Sequence, residues 1–211
     1  MTVAPRPPAA IEVSVWGLRV PRAGARVAAH RLLRTLLSRR LGVTTDEIEL
    51  TRARCERCGG PNGRPVVRGA PELHFSISYA GALALVALAP APVGVDVERP
   101  VPGPAWRELA PLLHPAERRE LEQAGPGLRT WALSRVWTRK EACLKAIGAG
   151  LAHGLSEPYV GAGPLPAMPA GWILRDVVVP GAHTAAIALR AEGLSGPRAD
   201  DRRAPLHVRW A

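Results

Sequence analysis

A chain of 211 residues with 47% hydrophobic side chains can fill a substantial core, and 28 basic against 18 acidic residues leave a formal charge of +10. Three cysteines are too few for a disulfide framework, and no window of eighteen uninterrupted apolar residues offers a membrane span, so a soluble cytoplasmic protein is expected. The charge favours phosphate-bearing ligands, nucleic acid or an acidic protein surface.

The first twenty residues hold Arg6, Glu12 and three early prolines rather than a basic start and a long apolar stretch, so no signal peptide is expected. Residues 10–19 alternate apolar and polar in the manner of a strand. From Gly24 to Leu41, residues Val27, Leu32, Leu33, Leu36, Leu37 and Leu41 recur at helical spacing with arginines between them, and Gly42 supplies a stop. Residues 55–71, rich in Gly, Pro and Arg, read as a loop. Two apolar runs at 75–79 and 83–88 and a strictly alternating one at 93–98 predict adjacent strands. Pro115 opens a charged helix, and a longer helix is predicted over 129–147, ended by Gly148 and Gly150. Strand-like material returns at 172–179 and 184–189, and 193–204 read as a solvated tail. The strands begun by Gly81 and Gly181 are alike and stand about one hundred residues apart, which predicts two similar α+β halves. The boundary is set at 1–100 and 101–211.

Arginine supplies 26 of the 28 basic residues, and the two lysines, Lys140 and Lys145, stand five apart. A compact ammonium on a flexible stem is kept where a planar guanidinium has replaced it elsewhere, which draws attention to that helix. Upstream, the period of two in Val93-Gly94-Val95-Asp96-Val97-Glu98 sends the valines to one face and Asp96 and Glu98 to the other, their Cα atoms about 7 Å apart. Both carboxylates can then reach one hard cation, with Gly94 leaving room for a ligand; the alternative is a wet, acidic strand edge. On the helix, Trp137, Glu141 and Lys145 share a stripe and Lys140 lies beside them. Glu141 can supply a third oxygen ligand while Lys140 and Lys145 aim at phosphate. The alternative is an exposed Glu–Lys pair beside a core tryptophan.

Together, Gly94, Asp96 and Glu98 on a strand and Trp137, Lys140, Glu141, Ala142 and Lys145 on a helix resemble the 4′-phosphopantetheinyl transferases. The likeness is to the larger single-chain class. It extends to Ala29-His30-Arg31, Gly63-Arg64-Pro65, Phe75-Ser76-Ile77-Ser78 and Gly150-Leu151, and so spans roughly residues 29–155. The resemblance implies an α+β fold of two similar α/β halves packed as a pseudo-twofold dimer within one chain. It implies transfer of the phosphopantetheine arm of coenzyme A to a serine of an apo acyl or peptidyl carrier protein, with release of adenosine 3′,5′-bisphosphate. Asp96, Glu98 and Glu141 would hold Mg²⁺ or Mn²⁺, Glu141 and Lys145 would be catalytic, and Arg31, Arg64, Ser78, Tyr79, Lys140 and Lys145 would bind coenzyme A. An acidic carrier of secondary-metabolite synthesis, no nucleic acid or membrane partner, and a monomer are the corresponding expectations.

The family's Asn-x-Ser-His-Ser is Ser76-Ile77-Ser78-Tyr79-Ala80 here, so a neutral Tyr79 stands where a histidine would meet the 3′-phosphate. Ser78 can still donate to phosphate, and Arg31, Arg64 or Arg68 can supply the cation, or Tyr79 is a core residue with no ligand role. Cys55 and Cys58 have the spacing of half a zinc site or belong to a thiol-bearing loop, and Cys143 is expected on the inner side of the helix. Two rivals are a coenzyme A-binding protein without turnover and an arginine-rich nucleic-acid-binding module. The second has charge in its favour but no recognisable motif and few aromatic stacking platforms.

Overall fold

The computed structural model describes residues 13–55, 58–100, 105–150, 154–191 and 208–210; Leu151 and the tail expected over 193–204 lie outside them. The first alternating run forms β1 (Ser14–Arg19), and a 3₁₀ turn leads into α1 (Ala25–Leu41). The inner stripe of α1 is Ala25, Ala29, Leu33, Leu36 and Leu37, whereas Val27, expected among its apolar positions, is exposed. Gly42 ends the helix at φ 70°, a left-handed conformation that glycine adopts without a Cβ penalty, as expected. β4 (His74–Ala80) and β5 (Leu83–Ala89) form a hairpin, and β5 also pairs antiparallel with β1. Leu33 and Leu37 of α1 pack on this sheet with Phe75 and Val86.

Three-residue strands escaped the pattern analysis. β2 (Leu50–Arg52) and β3 (Pro65–Val67) pair as a short hairpin partly inside the stretch read as loop, because three residues opened by a proline carry no legible alternation. β9 (Val208–Trp210) pairs parallel with β1. Its Trp210 ring lies so close over Gly17 that a Cβ there would come within 2.5 Å of it.

The second sheet joins β6 (Val93–Glu98), β8 (Thr184–Arg190) and β7 (Trp172–Asp176), all antiparallel. Between β6 and β7 run α2 (Ala105–Leu109), a 3₁₀ turn, α3 (Pro115–Gln123) and α4 (Pro126–Ile147). α4 starts earlier than the predicted 129 because Gly125 and Pro126 make a helix entry, with proline's missing N–H at no cost there.

The two sheets repeat one connection. Strand, helix and hairpin give the order β4-β5-β1 in the first and β7-β8-β6 in the second, so the alike strands begun by Gly81 and Gly181 each occupy the middle. β6 therefore hydrogen-bonds into the second sheet, which corrects its assignment to the half ending at residue 100. Three successive strand signals fix strand character but not which strand pairs with which. The sheets share a core of Val15, Leu85, Val95, Val97, Ile187 and Leu189. They also meet along β4 and β6, where the Ser76 and Ser78 hydroxyls accept from Val95 N–H at 3.0 Å and Val97 N–H at 3.2 Å. Those hydroxyls satisfy backbone donors on what would otherwise be an unpaired strand edge. No helix among the described residues is long and apolar enough to cross a membrane.

α4 lies directly on β6. A Cβ on Gly94 would fall 1.9 Å from the Ala142 carbonyl oxygen and 2.7 Å from Ala146 N, so the glycine admits helix backbone and not, as the strand pattern suggested, a ligand. Gly94→Ala is expected to cost about 3 kcal/mol through forced separation of α4 from the sheet. Urea denaturation measures this, and an unchanged midpoint would show that the helix and strand are not in contact.

Candidate active site

The period of two in β6 buries Val93, Val95 and Val97 in the shared core and turns Asp96 and Glu98 toward α4. Asp96 is only 2% exposed, which rules out the wet acidic edge. Its Oδ1 accepts from the Ser78 hydroxyl at 2.8 Å and lies 2.5 Å from the Lys145 ammonium. Lys145 Nζ also donates to Ser78 Oγ at 3.1 Å and to the Val95 carbonyl at 3.2 Å. The other oxygen, Oδ2, is buried with no hydrogen-bond partner among the described residues. A buried carboxylate oxygen without a partner is costly unless something outside the protein supplies one.

Two further carboxylates adjoin it. Burial and then the charge of Asp96 push Glu98 above the usual carboxylate range, with Glu141 adding to the rise, while Lys145 and a hydrogen bond with Trp137 oppose it. Burial and then Asp96 raise Glu141 as well, against Lys145. The three acids and Lys145 thus feel one another's charge, and a cation would relieve both carboxylate shifts. Trp137 packs at the margin of the core as well as bonding Glu98. No three His, Cys, Asp or Glu side chains among the described residues are gathered closely enough to hold an ion between them. Mg²⁺ does not demand such a cage, since one or two carboxylates, water and substrate phosphate commonly complete its six oxygens. The orphaned Asp96 Oδ2 beside two acids of raised pKa fits a hard divalent cation.

Lys140, expected to reach for phosphate, does something else. It is 1% exposed and pairs at 3.0 Å with Glu117, itself wholly buried, and donates to the Pro158 carbonyl at 2.6 Å. One residue step turns a helix by about 100°, so Lys140 leaves the stripe of Glu141 and faces α3 and residues 154–163. Glu117 also accepts from Val160 N–H at 2.7 Å and from His114 N–H at 3.1 Å, the latter half of a capping box. Beside it, Arg139 forms a bidentate pair with Asp176 and donates to the Gly161 carbonyl at 2.5 Å. Glu117 was invisible to sequence analysis, because a glutamate three residues after an N-cap is ordinary and nothing local reports burial.

Ser78 and Tyr79 point to opposite faces of β4. Ser78, expected to donate to phosphate, is 6% exposed and its hydroxyl is engaged by Asp96, Val97 and Lys145; Tyr79 is 47% exposed, which excludes the core alternative. Arg31 is exposed on α1. Arg64 sits against the end of α4, where a Cβ on Gly148 would fall 2.5 Å from its backbone nitrogen. Cys143 is buried, and burial pushes its thiol up to about 12, so it is inert core as expected. Cys55 and Cys58 stand at the tip of the β2–β3 hairpin, where Cys55 N–H bonds the Gly60 carbonyl at 2.7 Å.

The strand and helix that build this site lie within one matched segment. Residues 92–162 match the 4′-phosphopantetheinyl transferase superfamily. Similar proteins include the putative 4′-phosphopantetheinyl transferase slr0495 of Synechocystis sp., 32% identical over 65% of this chain and 55% of its own length. The 4′-phosphopantetheinyl transferase psf-1 of Bacillus pumilus is 34% identical over 46% of this chain and 41% of its own. AcpT of Salmonella typhi, also named a 4′-phosphopantetheinyl transferase, is 32% identical over 59% and 61%. The alignments therefore span about two fifths to three fifths of these relatives' lengths.

Proposed function

We propose that this chain is a 4′-phosphopantetheinyl transferase that moves the phosphopantetheine arm of coenzyme A to a serine of an apo acyl or peptidyl carrier protein. The carrier serine oxygen bonds to the phosphorus that bears the pantetheine arm. The phosphorus–oxygen bond of the pyrophosphate bridge breaks, and adenosine 3′,5′-bisphosphate leaves. The serine proton passes to a carboxylate, Glu141, directly or through water. The observation that carries this reading is the buried, partnerless Oδ2 of Asp96 at the meeting of the strand and helix motifs, with Glu98, Glu141 and Lys145 around it. Mg²⁺ or Mn²⁺ would be held at Asp96 Oδ2 with one of Glu98 and Glu141, water and substrate phosphate, the remaining carboxylate adding charge nearby, and would supply Lewis-acid neutralisation of the pyrophosphate. Lys145, partly exposed while touching Asp96, is poised to neutralise charge on the transferred phosphate.

The formal charge of +10 suits an acidic carrier surface. The repeated strand-helix-hairpin connection supports a pseudo-twofold pair of halves within one chain and so favours a monomer; a cytoplasmic location is part of the same proposal. Arg31, Arg64 and the exposed Tyr79 are assigned to the nucleotide. With an apo carrier and Mg²⁺, chromatography is expected to find adenosine 3′,5′-bisphosphate released in step with carrier loading. Release without any carrier would instead indicate a hydrolase, and coenzyme A bound but never consumed would indicate a binding protein.

Tyr79→His is expected to raise affinity for coenzyme A relative to 3′-dephospho-coenzyme A severalfold, since an imidazolium adds a charge-assisted bond at the 3′-phosphate. Calorimetry with both ligands measures the ratio. An unchanged ratio would place residue 79 away from that phosphate.

A further inference from the structure

A serine hydroxyl has one proton and two lone pairs, and at Ser78 all three are engaged. The proton goes to Asp96 Oδ1 at 2.8 Å, and the oxygen accepts from Val97 N–H at 3.2 Å and Lys145 Nζ at 3.1 Å. Ser78 is thereby tied to the backbone of the strand that carries Asp96 and to the helix that carries Glu141. Its bond orients the carboxylate: Oδ1 is held by Ser78 and Lys145, so Oδ2 is the oxygen left open.

We propose that Ser78 is a positioning residue that fixes the Asp96 carboxylate so that Oδ2 faces the divalent cation. This rests on the proposed cation at Asp96. Without the hydroxyl, the side-chain hydrogen bonding of Asp96 among the described residues reduces to the Lys145 ammonium, a point charge on a flexible stem that leaves the carboxylate plane free to turn. Groups that orient a metal ligand in this way typically change metal affinity ten- to a hundredfold when removed.

Ser76 is a built-in control. It sits two residues earlier on the same face, is 5% exposed, and its hydroxyl accepts from Val95 N–H without touching Asp96. Ser76→Ala removes the same kind of bridge between β4 and β6 and leaves Asp96 alone.

The test is Mn²⁺ binding to the full chain without coenzyme A, read as loss of the free-ion electron paramagnetic resonance signal. Ser78→Ala is expected to weaken Mn²⁺ binding about ten- to a hundredfold, Ser76→Ala to stay within about twofold, and Ser78→Thr to keep most of the affinity. Ser78→Cys, close in volume but a weak donor, carries the same test if circular dichroism finds the alanine variant unfolded. Equal affinity in wild type and the folded Ser78 variant overturns the positioning role while leaving the cation reading intact. Equal losses in the Ser76 and Ser78 variants also overturn it, by assigning the effect to sheet contact. A wild-type chain that binds no Mn²⁺ overturns the cation reading and the proposal together.

Discussion

Glu141→Gln is expected to lower carrier loading on the order of 10³-fold, because one substitution removes the proposed base and a carboxylate charge beside the proposed cation. The fold is expected to survive it. Burial and the charge of Asp96 raise the pKa of Glu141 above its ordinary value, which means that the ionised form costs stability in the folded chain at neutral pH. A neutral amide of nearly the same volume relieves that cost. Thermal unfolding of Glu141→Gln should therefore occur at the wild-type temperature or above it, while turnover collapses. Wild-type turnover in this variant would remove Glu141 from the mechanism, and a lower unfolding temperature would mean that its charge is compensated by something other than the contacts described here.

Lys140→Met separates structure from chemistry at the neighbouring position. Removing the ammonium leaves wholly buried Glu117 without its ion partner, a loss of about 3–5 kcal/mol in comparable buried pairs. Burial already pushes Lys140 down and Glu117 up against their mutual attraction, so neither charge has much to spare. Replacing both members, with Lys140→Met and Glu117→Leu together, is expected to recover part of the loss, since an apolar pair carries no desolvation cost. Coenzyme A affinity of the folded fraction should stay near wild type in both. Unchanged stability with a large loss of coenzyme A affinity would instead return Lys140 to the phosphate.

The contrast between Lys140 and Glu141 shows how far spacing can be trusted. Trp137, Glu141 and Lys145 lie four apart, and that stripe does meet the Asp96 and Glu98 face of β6. Periods of 3.6 and 2 are properties of the backbone alone and transfer directly from sequence to structure. Lys140 shares the motif but not the stripe, and only the tertiary fold provides Glu117 as its partner across 23 positions of chain. The contacts of Ser78 depend on the tertiary fold in the same way. Its strand was legible, but which neighbour met each face depended on β6 pairing with β8 and running along β4, and no local pattern encodes strand partners. Gly94 was expected to leave room for a ligand, yet what approaches it is the carbonyl of Ala142. Elements of three residues, β2, β3 and β9, are too short for any period to register.

Intact mass of an apo carrier protein, after incubation with this chain, coenzyme A and Mg²⁺ and in parallel with chelator, tests the central proposal most directly. A metal-dependent gain of about 340 Da on the carrier serine, one phosphopantetheine arm, is the expected result. A carrier whose mass never changes, across fatty-acid, polyketide and nonribosomal peptide types and with coenzyme A demonstrably bound, would contradict it.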